Sequence, residues 1–231
     1  MIAELEKDIR KLANSKKAKI YQRFFKTGKG EYGEGDVFLG LTVPQSRKIA
    51  IKYKDLEFDD IKKLLQSKIH EERLIALLIL VHNFIRGSEK EKEKIFNYYL
   101  RYTKYVNNWD LVDLSADKIV GQYLLDKSKD ILFRLARSNN IWERRISIVS
   151  TYQFIKDGRY QETLKISKML FNDQHDLIHK AVGWMLREVG KQCSQQVLEG
   201  FLKEHYQKMP RTTLRYAIER FPEGLRMSYL L

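Results

Sequence analysis

Along most of this chain apolar residues return every three or four positions, the spacing of one face of an α-helix. "IAELEKDIRKL" (2–12), "DDIKKLLQSKI" (59–69), "KEKIFNYYLRYT" (92–103) and "ETLKISKMLF" (162–171) all carry it. Alternation of Val, Ile and Thr is rare, and only three prolines interrupt the pattern: Pro44, Pro210 and Pro222. An almost wholly helical protein follows. The one irregular stretch, "KTGKGEYGEGDVFLGLTVP" (26–44), holds five of the twelve glycines and ends in Pro44 at a helix start. Its Gly-x-Gly pairs lack the Lys-Ser/Thr of a phosphate-cradling motif, so it reads as a loop.

Five segments align with one another: "HEERLIALLI" (70–79), "DLVDLSADKI" (110–119), "WERRISIVST" (142–151), "LIHKAVGWML" (177–186) and "TTLRYAIERF" (212–221). Their fourth residues are Arg73, Asp113, Arg145, Lys180 and Arg215, spaced by 40, 32, 35 and 35 positions. Another amphipathic helix precedes each segment, so the unit is a helical hairpin of about 35–40 residues, the period of HEAT-type repeats. The expected architecture is all-α: a curved solenoid of HEAT-like hairpins, five to six of them in one domain over residues 1–231. In such a solenoid the second helices line a concave face, and a residue recurring in register becomes a stripe along it. Here the stripe is cationic at four positions and anionic at Asp113. A furrow for a phosphate backbone is one reading of it; a plain solvated helix face is the other.

Charge favours the furrow. Lys and Arg outnumber Asp and Glu by 43 to 30 in 231 residues, a formal net charge of +13, and that excess is the footprint of a polyanion partner, nucleic acid first. The single cysteine, Cys193, excludes a disulfide framework and a Cys-based zinc site; it reads as a half-buried thiol near a helix end. Of the five histidines only His175 and His179 have a metal-ligand spacing, and no third ligand accompanies them. The longest apolar run, "LIALLILV" (74–81), is too short to span a bilayer, and the charged N-terminus lacks the core of a signal peptide. A cytoplasmic protein is expected.

Candidate chemistry centres on "NNWDLVDLSADKIVG" (107–121). On a helix turning about 100° per residue, Asp113 lies about 40° from Trp109, with Asp110 and Asp117 within about 60° of it. Leu111, Val112, Ser115, Ala116 and Ile119 fall on the opposite, buried arc. In "KAVGWMLREVG" (180–190), Trp184 shares the polar side with Lys180 and Arg187, away from Ala181, Val182, Met185, Leu186 and Val189. Trp142 reads as packing. An indole on a polar face is uncommon; the alternative places both rings in gaps between repeats and pairs Asp113 with Arg145 or Lys180. A carboxylate and π-faces stabilise positive charge. No nucleophile–base pair accompanies them, and cleavage of an N-glycosidic bond, with its oxocarbenium-like transition state, fits that set.

At "FLGLTVPQSRKI" (38–49), "NNWDLVD" (107–113), "NNIWERRISI" (139–148) and "KAVGWMLREVGK" (180–191) the sequence resembles the AlkD-type alkylpurine DNA glycosylases, HEAT-like repeat proteins, over nearly the whole chain. The resemblance implies release of cationic N3- and N7-alkylpurines from duplex DNA by a monomer that needs no metal and no cofactor. It implies that Trp109 and Trp184 flank the lesion's deoxyribose and that Asp113 stabilises the cationic sugar or positions water. By the resemblance Arg145 would hold the DNA backbone, assisted by Arg187; the stripe of the aligned segments adds Lys180, Arg73 and Arg215 to the expected DNA-binding set, and the turn before Pro44 adds Thr42. Asn108 stands where relatives often have a second aromatic, and Thr42–Val43 where they place a longer polar side chain. The other functions open to this scaffold are non-catalytic binding of bent or branched DNA and protein–protein scaffolding.

Overall fold

The computed structural model describes residues 1–230, and these are about 70% helix, with no strand among them. The chain divides into two compact units, Met1–Ser115 and Ala116–Leu231.

The first unit is built from α1 (Ile2–Lys11), α2 (Ser15–Phe24), α3 (Val43–Lys52), α4 (Phe58–Leu65), α5 (His70–Arg86), α6 (Glu89–Arg101) and the single turn α7 (Trp109–Asp113). Helix α5 is its centre. Residues 70–81 are buried without interruption, and α3, α4 and α6 all pack on it. Polar residues set the starts. Asn14 accepts the Lys17 N–H, while Thr42 with Gln45, and Ser88 with Glu91, form capping boxes, the former with Pro44 in the first helical turn. The periodicity of 59–69 outruns its helix: α4 stops at Leu65, because the Lys68 carbonyl and the His70 N–H turn to Val37 and make a lone parallel bridge.

Residues 26–44 are irregular, as their glycines predict, but their second half is fastened. The buried Glu71 carboxylate accepts the backbone N–H groups of Leu39, Gly40 and Leu41 at 2.7–3.2 Å. Gly40, at φ +87°, lies so close to the Asn14 carbonyl that a Cβ would sit 2.2 Å from its oxygen.

The second unit opens with a π-helical turn, Asp117–Gly121, leading into α8 (Gln122–Leu124). There follow α9 (Asp130–Leu135), α10 (Ile141–Ser150), α11 (Tyr152–Lys156), α12 (Gln161–Met169), α13 (Asp176–Gln192), α14 (Gln195–His205), α15 (Arg211–Ala217) and α16 (Glu223–Leu230). Here the repeat is written in hydrogen bonds. Ser150 Oγ donates to the Ala116 carbonyl at 3.4 Å, Arg145 to Leu177 O at 2.5 Å and Thr213 Oγ1 to His179 O at 3.2 Å, over separations of 34, 32 and 34 residues. Two glycines let the joints close. A Cβ on Gly121 would sit 2.2 Å from Ser150 O, and one on Gly183 2.5 Å from Thr213 O. Ala181, Val182, Met185, Leu186 and Val189 form the buried arc of α13, as their spacing predicts, and Trp142 is packing. Cys193, half-buried, follows α13, and burial raises its thiol pKa.

Candidate active site

Helix α7 is the single turn that carries Trp109 and Asp113, and both side chains sit half-buried, neither sealed in the core. Asn108 starts it by accepting the Trp109 N–H at 2.8 Å. The indole lies flat on Phe25, with ring centroids 5.0 Å apart and planes 12° from parallel, and Phe24 meets its edge at 5.8 Å. Such contacts each contribute about 0.5–1.5 kcal/mol beyond area burial, so the ring is fixed while part of it stays open to solvent.

Beneath the turn lies a charge cluster. His70 Nε2 meets Asp110 Oδ2 at 2.8 Å, and Nδ1 meets Asp36 Oδ2 at 3.2 Å. Arg73 pairs with the same Asp36 oxygen at 2.7 Å, and the Asn108 amide donates to it at 3.3 Å. Phe38 stacks on the imidazole at 4.4 Å, and Phe25 lies 5.1 Å from it, between His70 and Trp109. Burial pushes the His70 pKa down, but the Asp110 and Asp36 carboxylates outweigh it and hold it up at about 9. Burial likewise works to raise the Asp36 pKa, and His70, Arg73 and Asn108 together bring it below the ordinary value.

Two sequence expectations are corrected here. Asp110 and Asp117 do not share Asp113's half-open setting; both are buried, Asp110 on His70 and Asp117 with Lys118 at 2.7 Å. The continuous helical wheel fails because α7 ends at Asp113, and the chain turns and then widens into the π-helical turn. Nor does Arg73 belong to an exposed stripe. At 3% exposure, donating to Ser67 O at 2.7 Å and paired with Asp36, it neutralises the cluster. The opposite arc is as predicted: Leu111, Val112, Ser115, Ala116 and Ile119 are fully buried.

In the second unit Trp184 is half-buried on α13, tilted against Tyr152 at 5.9 Å. Lys180 is half-exposed and pairs with Asp176 at 2.7 Å; Arg187 is held by Glu219 and, at 3.4 Å, by Glu188. Arg215 is exposed. Arg145 departs from the expected open stripe: it is 5% exposed at the joint of α10 and α13. In the first unit Thr42 is the half-buried cap of α3, its hydroxyl on Gln45 Oε1 at 2.8 Å. His175 caps α13, and His179 Nε2 donates to Asp173 O at 2.5 Å. Among the described residues no group of three or more His, Cys, Asp or Glu side chains is placed to hold a metal ion, and no helix is long and apolar enough to cross a membrane.

The sequence pattern misses Phe24, Phe25, Asp36 and His70. One signal is present: His70 and Asp110 are the first residues of consecutive aligned segments and opposite in charge, so stacking the repeats brings them together.

Compared with protein-family models, residues 5–221 match the family described as DNA alkylation repair enzyme. No curated protein matches the sequence. Among solved structures the chain is similar to a predicted DNA alkylation repair enzyme from Enterococcus faecalis, at 18% identity and a TM-score of 0.70, over 91% of this chain and 97% of that one. At that identity the likeness is one of fold.

Proposed function

The chain belongs to the DNA alkylation repair enzyme family, and from that premise we propose that it is a monofunctional DNA glycosylase. It hydrolyses the N-glycosidic bond of positively charged N3- and N7-alkylpurines, such as 3-methyladenine and 7-methylguanine, in duplex DNA, with no cofactor. The observation that carries the reading is the single turn of α7, which holds an indole and a carboxylate together in a half-open setting inside a protein of charge +13.

A cationic base is already a good leaving group. As the C1′–N bond breaks, its electron pair neutralises the base, and no general acid is needed. The charge moves to the sugar, where a carboxylate and the π-face of an indole stabilise it. Asp113 supplies that negative charge and orients the water that adds to C1′, the water's proton passing to solvent. Trp109 and Trp184 hold the deoxyribose. Lys180, Arg187 and Arg215 grip phosphates, with Thr42 beside the backbone.

The test is Asp113→Asn on methylated duplex DNA. Release of 7-methylguanine is expected to fall by at least ~100-fold, while affinity for the duplex stays level or rises slightly. Unchanged release removes Asp113 from the mechanism. A wild type that retards duplex DNA yet frees no base is a non-catalytic DNA binder.

A further inference from the structure

We propose that His70, clamped between the Asp36 and Asp110 carboxylates, is a positioning residue that fixes the Trp109–Asp113 turn for base release. This rests on the glycosylase reading above. At 1% exposure the imidazole cannot touch DNA, so whatever it contributes passes through its neighbours.

Two routes lead from it to the turn. One is covalent: Asp110, bonded through Oδ2 to His70 Nε2, is the residue after Trp109, and its Oδ1 also accepts the Leu111 N–H at 2.9 Å. The other is through ring contacts, because Phe25 lies against both the imidazole and the indole. Asp36 closes the arrangement from the far side, binding His70 Nδ1 and the Asn108 amide whose oxygen caps the turn.

Proton count decides how the clamp works. Both ring nitrogens face carboxylate oxygens, and each contact is a hydrogen bond only if each nitrogen carries a proton. The clamp is therefore closed with imidazolium and half-open with imidazole, which has one N–H to offer two acceptors. The charged groups facing the ring are Asp36 from the segment before α3, Asp110 from α7 and Arg73 from its own helix. Two carboxylates and two cations balance. Loss of the His70 proton leaves a net buried anion directly below α7. A buried ion cluster is a weak way to gain stability, because apolar residues of the same volume often serve as well; what this one supplies is a fixed geometry for the adjoining turn.

The first measurement uses a chain in which Trp142→Phe and Trp184→Phe leave Trp109 as the sole indole. Its emission is expected to shift with a midpoint near pH 9, to stay flat in the His70→Gln background, and to shift at a lower pH with Asp36→Asn, which removes one stabilising anion. The second uses the chain with all its tryptophans and methylated duplex. Enzyme-dependent kcat for 7-methylguanine release is expected to fall along the same midpoint while KM changes less than ~2-fold, the split expected when a reacting geometry and not binding is lost. His70→Gln is expected to lower kcat by ~10-fold or more at neutral pH, with unaltered affinity for undamaged duplex. Flat Trp109 emission from neutral to strongly alkaline pH, or His70→Gln with wild-type kcat, overturns the proposal. Should His70→Gln fail to fold, the titration and Asp36→Asn still decide it. Should the wild type release no base, the glycosylase reading fails, and the emission titration still tests the clamp.

Discussion

Asp110 and Asp113 lie three residues apart and sit in different settings, one buried and one half-buried. The periodicity that places Trp109 and Asp113 side by side treats all acids alike, so it puts Asp110 beside them; the fold buries Asp110 on His70. What separates the two is a partner 40 residues earlier, which no local window contains. A consequence for stability follows. The folded His70 pKa, at about 9, lies above its ordinary value of 6.5, so the cluster's contribution is whole below 6.5 and is lost as pH rises through about 9. The gap corresponds to roughly 3 kcal/mol. Urea denaturation of the wild type is expected to show a clearly lower midpoint at pH 10 than at pH 7, with a smaller difference for His70→Gln. Equal differences in the two chains would remove His70 from the alkaline loss.

Among the elements, the helices and their repeat are legible because each hairpin must bury one face, and that face recurs in the sequence. Irregularities are not. Nothing in the apolar spacing marks the π-helical turn at Asp117–Gly121 or the stop of α4 at Leu65, the latter coming from the bonds that Lys68 and His70 make to Val37. Glycine positions offer a test of how tightly the hairpins join. Gly183→Ala would drive a methyl group within 2.5 Å of both Thr213 O and Tyr216 Cβ, and Gly121→Ala one within 2.2 Å of Ser150 O. Each is expected to lower stability by about 1–3 kcal/mol. Gly200→Ala, in the interior of α14 with open space around it, is expected to raise stability by roughly 1 kcal/mol through helix propensity alone. Thermal unfolding of the three variants checks the order, and a neutral Gly183→Ala would mean that the joint of α13 and α15 yields easily.

For the whole chain, the charge of +13 points to a polyanion from composition alone, but which cations meet it is less legible. Register nominates Arg73, whose charge is spent on Asp36. Lys180→Ala and Arg215→Ala are each expected to reduce the salt slope of duplex binding by about 1. A slope unchanged in both places the phosphate contacts elsewhere. Because one carboxylate, Glu71, ties down Leu39, Gly40 and Leu41, while Gly28 to Glu31 stand exposed and bond only within their own turn, the glycine-rich stretch has an exposed half and an anchored half. Limited proteolysis of the native chain should nick it after Lys29 with trypsin and leave the Phe38–Leu41 peptides uncut by thermolysin, until Glu71→Gln slackens the anchor and a second cleavage appears there.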